Sequence, residues 1–339
     1  MTNETIDGIK ALLNTPKQIA IIPHKNPDGD AIGSTLALFH YLNTLGHSCT
    51  VIAPNDYPNF LKWIPGEASI LKFESDSENA TNLLNKAEVI FTLDFNSLSR
   101  VGDDMGSVLE QTDAIKVMID HHQQPDDYAK YMYSDVSMSS TCEMVYNFID
   151  FLGDSDKIDA TIATCLYVGI MTDTGSFRFP ATTEKTHRVI AHLIEKGADN
   201  SEIHNNIYDT NSYSRLQLLG CALQNLKVIP ELKTAYITLS QNELDQFKFK
   251  KGDTEGFVNY ALSLEGIIFA AIFIENKQDD IIKISLRSKG DFSVNEFSRA
   301  HFSGGGHTNA AGGKSDLNLQ DTVDNFISIL DAYKSDLSQ

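Results

Sequence analysis

The sequence predicts an α/β protein of two domains, the first with a doubly wound, mostly parallel sheet and the second a smaller α+β domain with a mixed sheet. At 339 residues the chain exceeds the size of one average domain. Strand and helix patterns alternate in the first half, as in parallel sheets, and the pattern changes to sheet strands with two helices after residue 226. We therefore predict a first domain at 1–198, a helical linker at 199–226 and a second domain at 227–339.

Apolar runs rich in β-branched residues predict four strands in the first domain, at 18–22, 48–53, 89–93 and 115–119. Ile32, Leu36 and Phe39 repeat at helical spacing, so a helix is predicted to begin just after Asp30. Further helices are predicted at residues 6–13, 139–151, 158–171 and 183–196, and an amphipathic connector at 199–219.

The second domain has strand patterns at 234–239, 267–275 and 281–287 and helical patterns at 257–264 and 321–333. It also contains an unusual loop, Ser303-Gly304-Gly305-Gly306-His307. Because glycine lacks a Cβ, backbone N–H groups in such a loop can approach an anion closely, and His307 adds a side-chain donor. The alternative interpretation of the three glycines is a flexible turn.

The charge balance argues against general binding of long nucleic acids. Lys and Arg total 27 against 46 Asp and Glu, a formal charge of −19. Such a field repels long polyanions, because nucleic-acid binding depends on phosphate neutralisation by Lys and Arg. A short oligonucleotide or a mononucleotide bound through local groups and metals is still compatible with this charge.

The cysteines and the apolar segments favour a cytoplasmic protein. Cys49, Cys142, Cys165 and Cys221 are far apart and form no CxxC pair, which suits reduced thiols. The longest apolar run, Ile267–Ile274, is too short to span a bilayer, and the N-terminus shows no secretory leader pattern. We therefore expect no membrane association.

Residues that can hold a metal or a proton follow the predicted elements of the first domain. They are His24, Asp28 and Asp30 after the first strand, Asp94 after the third, Asp120, His121 and His122 after the fourth, and Asp173 after a buried helix. Parallel strands place their carboxyl ends along one edge of a sheet, so these residues can converge there. Each alone can be explained as a turn, a helix cap or a satisfied buried imidazole, but all together are a much less probable coincidence.

The carboxylates in this set predict metal chemistry. Four Asp side chains in one place would repel one another, and two divalent cations would neutralise them. Carboxylate and imidazole ligands without thiolate suit Mn²⁺, with Mg²⁺ or Co²⁺ as substitutes. Two ions roughly 3.5–4 Å apart can share a hydroxide and stabilise an in-line phosphoryl displacement. The residues therefore point to phosphoester hydrolysis.

In order and spacing, His24–Asp30, Asp94, Asp120–His122 and Asp173 resemble the motifs of the DHH phosphoesterases. The segment Ser303–His307 resembles the DHHA1 domain that accompanies them. The resemblance covers nearly the whole chain, and its two-domain layout is similar to the bifunctional oligoribonuclease and PAP phosphatase group, the NrnA type. The membrane helices and PAS segment of cyclic-di-AMP phosphodiesterases and the OB-like extension of RecJ exonucleases are not expected here.

The resemblance implies a role for each position. It assigns six ligands to two metal ions, namely His24 and Asp28 at the first, Asp94 shared, and Asp30, His121 and Asp173 at the second. His122 then faces the scissile phosphate, Asp120 orients the neighbouring imidazoles, and a metal-bridging hydroxide is the nucleophile. Arg287 and Ser288 grip the terminal phosphate or nucleotide, although Arg287 alone can be read as a surface charge.

These features predict a hydrolase that releases 5′-mononucleotides from very short RNA and removes the 3′-phosphate from adenosine 3′,5′-bisphosphate (pAp) to give AMP. The expected partners are short oligoribonucleotides and pAp, without long duplex nucleic acid or membrane, and a homodimer is left open. The rivals are a phosphodiesterase for linear or cyclic dinucleotides (pApA, pGpG, cyclic-di-AMP), an inorganic pyrophosphatase or exopolyphosphatase, and a nucleotide sensor without turnover. The glycine loop with Arg287 argues against the pyrophosphatase, and the intact ligand set argues against the sensor.

Overall fold

The predicted fold class is confirmed by a computed structural model, which describes residues 2–337. The chain divides into two units between Thr210 and Asn211. The first unit contains a six-stranded parallel sheet and the second a six-stranded mixed sheet. None of the helices within the described part of the chain has the length and apolar content needed to cross a bilayer.

The first unit alternates strands with helices. Its strands are β1 (Gln18–Ile22), β2 (Ser48–Ala53), β3 (Leu71–Lys72), β4 (Val89–Leu93), β5 (Ile115–Asp120) and β6 (Tyr131–Ser134). Its helices are α1 (Asn3–Leu12), α2 (Gly29–Thr44), α3 (Ser77–Lys86), α4 (Asp103–Gln111), α5 (Thr141–Leu152), α6 (Ala160–Asp173), α7 (Glu184–Glu195) and α8 (Asn200–Tyr208). The four predicted strands are present, whereas β3 and β6 were not predicted because they are too short to show a pattern.

The strand order places the ends of the central strands side by side. The order is β3-β2-β1-β4-β5-β6, and all the pairs are parallel. The chain adds strands on one side of β1 and then continues on the other side at β4, so the order reverses between β1 and β4. Ligands of doubly wound sheets bind at such a point, beyond the carboxyl ends of the strands.

Helices cover both faces of this sheet. Alternate strand residues, such as Ile21 and Phe91, are buried against one helix layer that includes α2, α5 and α6. The residues between them, such as Ala20 and Ile90, are buried against α3 and α4. Strands buried on both faces read as continuous apolar runs, which explains why these strands were recognisable in the sequence.

Two glycines let the helices behind the site approach closely. A Cβ at Gly33 of α2 would lie 2.6 Å from the carbonyl oxygen of Cys165, and one at Gly169 of α6 would lie 2.1 Å from Sγ of Cys142. Only glycine fits at these positions without a shift of the neighbouring atoms. The close packing of α2, α5 and α6 brings Asp30 and Asp173 to the same edge of the sheet.

The second unit places helices on both faces of its mixed sheet. Its strands are β7 (Lys227–Ile229), β8 (Thr234–Leu239), β9 (Phe269–Asn276), β10 (Ile281–Ser288), β11 (Gly305–His307) and β12 (Ala310–Ser315). Its helices are α9 (Tyr213–Gln224), α10 (Gln241–Gln246), α11 (Phe257–Leu262), α12 (Val294–His301), α13 (Leu319–Leu330) and α14 (Lys334–Leu337). The predicted linker thus consists of α8, which belongs to the first unit, and α9, which belongs to the second.

The sheet of the second unit has the order β11-β12-β10-β9-β8-β7, with a parallel pair at β8–β9 and antiparallel pairs elsewhere. One face packs on α12 and α13, and the other on α9, α10 and α11. The glycine segment that was predicted as a loop is in part a strand, since Gly305–His307 pairs with β12. The prediction of a loop was wrong there. These residues form a strand because β12 supplies their hydrogen-bond partners, and a glycine-rich sequence gives no strand pattern of its own.

Candidate metal centre and active site

The structure brings the eight polar residues predicted in the first unit to the carboxyl ends of β1, β4 and β5. Six of them are buried, namely His24, Asp30, Asp94, Asp120, His121 and His122. Two local details differ from the predictions. Asp28 caps α2, which begins at Gly29 rather than after Asp30, and Asp173 is the last residue of α6 rather than a loop residue.

His24, Asp28 and Asp94 form one group of metal-capable atoms. Nε2 of His24 lies 3.9 Å from Oδ2 of Asp28 and 3.5 Å from Oδ2 of Asp94. The other ring nitrogen, Nδ1, donates to the carbonyl oxygen of Lys25 at 2.9 Å. This hydrogen bond requires the proton on Nδ1, so the lone pair of the neutral ring is on Nε2, where the carboxylates converge.

A second group surrounds His121. Its Nε2 lies 3.5 Å from Oδ1 of Asp94, 3.5 Å from Oδ2 of Asp173 and 3.8 Å from Oδ2 of Asp30. As in the first group, Nδ1 points to a backbone carbonyl, that of Met138, at 3.2 Å. The two groups therefore share Asp94, which offers one carboxylate oxygen to each.

Asp120 and His122 are held together beside this pair of groups. Nδ1 of His122 donates to Oδ1 of Asp120 at 2.8 Å, and the backbone N–H of His122 donates to Oδ2 at 3.1 Å. Because Asp120 is fully buried and holds both the ring and the backbone, it fixes the orientation of the imidazole. Nδ1 of His122 is therefore the ring nitrogen engaged by Asp120.

The first turn of α5 supports the carboxylates from behind. The backbone N–H groups of Thr141 and Cys142 donate to the two oxygens of Asp30 at 2.6 and 2.8 Å. The hydroxyl of Thr141 donates to Oδ1 of Asp94 at 2.9 Å. Sequence reasoning missed this role for Thr141, because the Ser139–Glu143 segment signals only a helix start.

The pKa values of the acids in the site are shifted in opposite directions. Burial and the charge of Asp94 raise the pKa of Asp30 well above its ordinary range, and burial raises the pKa of Asp173 to about 6. Burial alone would raise the pKa of Asp94 as well, but hydrogen bonds from His121 and His24 hold it well below its ordinary value. Asp94 thus stays ionised while its neighbours resist ionisation.

The imidazoles respond to the same carboxylates. Burial opposes a charge on His121, but its hydrogen bond to Asp94 and the charge of Asp173 raise its pKa well above the ordinary value. His24 shows the same balance, in which burial is overcome by Asp94 and Asp28, while the charge of Arg100 acts against it. The surrounding carboxylates therefore favour positive charge at both imidazoles.

This donor set fits divalent metal ions. Each group contains one imidazole whose Nε2 faces carboxylate oxygens at 3.5–3.9 Å, and the carboxylates supply hard oxygen donors. Burial and the neighbouring Asp30 raise the pKa of Cys142 well above its ordinary value, so no thiolate competes at the site. Within the described residues, His24–Asp28–Asp94 and Asp30–Asp94–His121 each bring three ligand atoms within 4.8 Å of one another.

In the second unit, Arg287 and His307 flank the same strand. Both pair with Ala310 of β12, Arg287 from β10 and His307 from β11, so their backbones are about 10 Å apart across the sheet. Ser288 is buried, and its hydroxyl donates to the carbonyl of Phe292 at 2.6 Å and accepts from Asn309 at 2.9 Å. Ser288 therefore helps to shape the turn that follows β10.

Two of the three glycines, Gly304 and Gly306, have an evident packing role. A Cβ at Gly304 would lie 1.9 Å from the carbonyl oxygen of Gly312, and a Cβ at Gly306 would lie 2.4 Å from that of Ala310. Their N–H groups already have acceptors, since Gly306 donates to Oδ1 of Asn295 at 3.0 Å and Gly304 to the carbonyl of Ser298 at 3.4 Å. These contacts join the β11–β12 hairpin to α12.

Comparison with known proteins agrees with this geometry. Residues 18–170 match the N-terminal domain of the DHH family, and residues 232–336 match the DHHA1 domain. The chain is 31% identical over 324 residues to the bifunctional oligoribonuclease and PAP phosphatase NrnA of Thermus thermophilus, an alignment that covers 95% of this chain and 90% of that protein. The chain belongs to the DHH family. It is accordingly a hydrolase that acts on phosphoester bonds, and the resemblance seen in its motifs is confirmed.

Solved structures of related proteins share the fold of this DHH protein. The crystal structure of an exopolyphosphatase-related protein from Bacteroides fragilis has a TM-score of 0.95 and 39% identity, and the match covers 100% of this chain and 98% of that one. RecJ from Thermus thermophilus in complex with Mn²⁺ has a TM-score of 0.56 at 14% identity, and covers 98% of this chain and 54% of that one. The latter shows a common fold.

Proposed function

We propose that this DHH protein is a two-metal phosphoesterase that releases 5′-mononucleotides from very short RNA and removes the 3′-phosphate from pAp. The observation that carries the proposal is the position of Asp94, with one oxygen 3.5 Å from Nε2 of His24 and the other 3.5 Å from Nε2 of His121. A carboxylate shared between two imidazole-containing groups is the arrangement expected of a dinuclear site.

Six side chains would hold the two ions, namely His24, Asp28, Asp94, Asp30, His121 and Asp173. Carboxylate and imidazole donors without thiolate favour Mn²⁺, and Mg²⁺ or Co²⁺ can replace it. When bound, such ions act as Lewis acids on a phosphoryl group and make a water-derived nucleophile available at neutral pH. The Mn²⁺ complex of the RecJ relative supports this choice of metal.

His122 is proposed to act on the reacting phosphate. Its Nδ1 is bound to Asp120 at 2.8 Å, so the ring cannot turn and Nε2 is directed away from that carboxylate. A fixed imidazole of this kind can donate a hydrogen bond or a proton to a leaving oxygen. Asp120 contributes indirectly, because it holds the ring in one orientation.

The second unit is proposed to hold the rest of the substrate, through Arg287, Ser288 and the Gly304–His307 segment. The guanidinium of Arg287 offers a fork that matches phosphate oxygens, and His307 flanks the same strand. The net charge of −19 disfavours long RNA, so very short oligonucleotides and mononucleotides are the substrates that fit. The relative in Thermus thermophilus is named a bifunctional oligoribonuclease and PAP phosphatase, which supports both substrates.

The test compares substrates on the purified full chain with Mn²⁺. We expect phosphate release from pAp and mononucleotides from a diribonucleotide, both abolished by a chelator and restored by excess Mn²⁺. Inorganic pyrophosphate and cyclic-di-AMP serve as competing substrates in parallel assays. Turnover of cyclic-di-AMP alone, or of pyrophosphate alone, would contradict the proposal, and so would equal activity after Asp120→Asn or His122→Asn.

A further inference from the structure

The turn between His24 and Asp28 has an unusual backbone at Asn26. This residue has a φ of +56° and precedes Pro27. A left-handed conformation is uncommon for residues other than glycine, and a residue before proline is normally confined to extended conformations. Such a turn persists only where its surroundings hold it. The conformation of this turn sets the distance between the side chains of His24 and Asp28, which lie on either side of it.

One side chain from the neighbouring strand holds this turn. Asn55 follows β2, which pairs in parallel with β1, and is only 9% exposed. Its Oδ1 accepts from the backbone N–H of Asn26 at 2.7 Å, and its Nδ2 donates to Oδ1 of Asn26 at 2.8 Å. The side-chain amide of Asn55 therefore holds Asn26 at two points, its backbone N–H and its side-chain oxygen.

The turn has a second anchor on its other side. The backbone N–H of Lys25 donates to the carbonyl of Arg100 at 2.8 Å, which ties the turn to the segment after β4. That contact involves backbone groups only and depends on no particular side chain. Outside the turn itself, Asn55 is thus the residue whose side chain holds Asn26, although it lies 29 positions from Asn26 and belongs to none of the metal-capable groups.

We propose that Asn55 is a positioning residue of the metal centre, which holds Asn26 in its left-handed turn and thereby brings His24 and Asp28 onto one ion. This inference rests on the metal-binding part of the proposed function and not on its substrates. The dependence is selective. Asp30 and Asp94 accept hydrogen bonds from the first turn of α5, and His121 and Asp173 lie at the ends of β5 and α6, so the ion that they would bind depends less on the turn.

The test measures Mn²⁺ binding by electron paramagnetic resonance on the full chain without substrate. We expect two ions on the wild type, and in Asn55→Ala one binding step weakened by about 10–100-fold while the other changes by less than about threefold. Asn55→Asp keeps an acceptor for the N–H of Asn26 and, after rotation of the Asn26 amide, accepts from its NH₂ group. It is therefore expected to recover most of the lost affinity.

Tyr41→Phe is the matched control. The Tyr41 hydroxyl donates to Asp154 at 2.7 Å from a buried position on α2, the same helix that Asp28 caps. Its loss should lower the melting temperature and leave both binding steps unchanged, which separates destabilisation from mispositioning. Should Asn55→Ala fail to fold, Asn55→Ser keeps a polar side chain too short to reach Asn26 and gives the same comparison.

Two outcomes overturn the inference. One is wild-type Mn²⁺ affinity at both positions in the folded Asn55→Ala or Asn55→Ser variant. The other is a loss of Mn²⁺ affinity in Asn55→Asp that equals the loss in Asn55→Ala. Failure of the proposed function is distinguishable, because a wild type that binds two ions without cleaving pAp or a diribonucleotide refutes the substrate assignment alone. A wild type that binds no Mn²⁺ refutes both.

Discussion

Oδ1 of Asp94 lies 3.5 Å from Nε2 of His121. The two side chains meet because Asp94 follows β4 and His121 follows β5, which are neighbouring strands of the sheet. Asp94 has a φ of +66°, in the left-handed region. For a residue with a side chain this conformation costs roughly 1–3 kcal/mol and is kept where function or surrounding contacts require it. The backbone N–H of Asp94 donates to the carbonyl of Ile119 at 3.1 Å, which fixes the conformation to the end of β5. Asp94 is thereby held between both groups of metal-capable residues.

The stability of the metal-free protein is predicted to fall as the pH rises. Burial raises the pKa of Asp173 to about 6 and raises that of Asp30, so the folded state binds these protons more tightly than the unfolded chain. Their contribution is present below the unfolded value of 3.8 and is lost as the pH rises through the folded pKa. The pKa values of His24 and His121 are also raised, from an ordinary value of 6.5. Their contribution to stability is therefore also lost as the pH rises above 6.5.

Thermal unfolding with and without Mn²⁺ checks this prediction. Because bound cations replace those protons, the increase in melting temperature caused by Mn²⁺ should be larger at about pH 8 than at about pH 5. Asp173→Asn removes one of the groups that take up a proton on folding. In the presence of a chelator, the melting temperature of this variant should therefore fall less steeply with pH than that of the wild type. A Mn²⁺ effect that does not change with pH would count against the argument.

Removal of the Thr141 hydroxyl is predicted to weaken both ions together. The hydroxyl donates to Asp94 at 2.9 Å, so Thr141→Val leaves the shared carboxylate less well oriented. We expect Mn²⁺ affinity to fall by about tenfold and Thr141→Ser to retain it. Thr164→Val is a control, since the Thr164 hydroxyl on α6 donates to the backbone carbonyl of Ala160. Equal Mn²⁺ affinities for the Val and Ser variants of Thr141 would contradict the assignment.

Gly304, which directly precedes β11, and Gly312 of β12 are predicted to differ sharply in their tolerance of alanine. A Cβ at Gly304 would lie 1.9 Å from the carbonyl oxygen of Gly312, whereas a Cβ at Gly312 would meet only the carbonyl oxygen of Ile284, at 3.7 Å. Gly304→Ala should lower the free energy of unfolding by about 1–3 kcal/mol or more, and Gly312→Ala should change it by less than about 0.5 kcal/mol. Chemical denaturation of the two variants measures the difference, and similar values would contradict the packing role.

The sequence was sufficient for the elements that carry the first site. β1, β2 and β4 match their predicted bounds because fully buried strands are unbroken apolar runs that end at polar residues. The ends of β1, β4 and β5 identified His24, Asp94 and His121, because ligands of a parallel sheet bind beyond the carboxyl ends of its strands.

The sequence could not show structure that depends on distant partners. β12 (Ala310–Ser315) contains two glycines and no β-branched residue, and it is a strand because β10 and β11 pair with it. The contacts of Thr141 with Asp30 and Asp94 span 111 and 47 positions, and no local pattern predicts them. The glycines at 304 and 306 were interpreted as a means for anions to approach the backbone, whereas the structure shows that they also leave room for the hairpin to pack.

The most direct test of the dinuclear site counts Mn²⁺ ions on the wild type and on Asp94→Asn and follows pAp hydrolysis in the same samples. We expect two ions and activity for the wild type, and for Asp94→Asn weakened binding at both positions with activity reduced by more than about 100-fold. Two results would contradict a shared carboxylate at the centre of the site. In one, Asp94→Asn still binds two ions with wild-type affinity. In the other, it loses one ion while pAp hydrolysis continues at the wild-type rate.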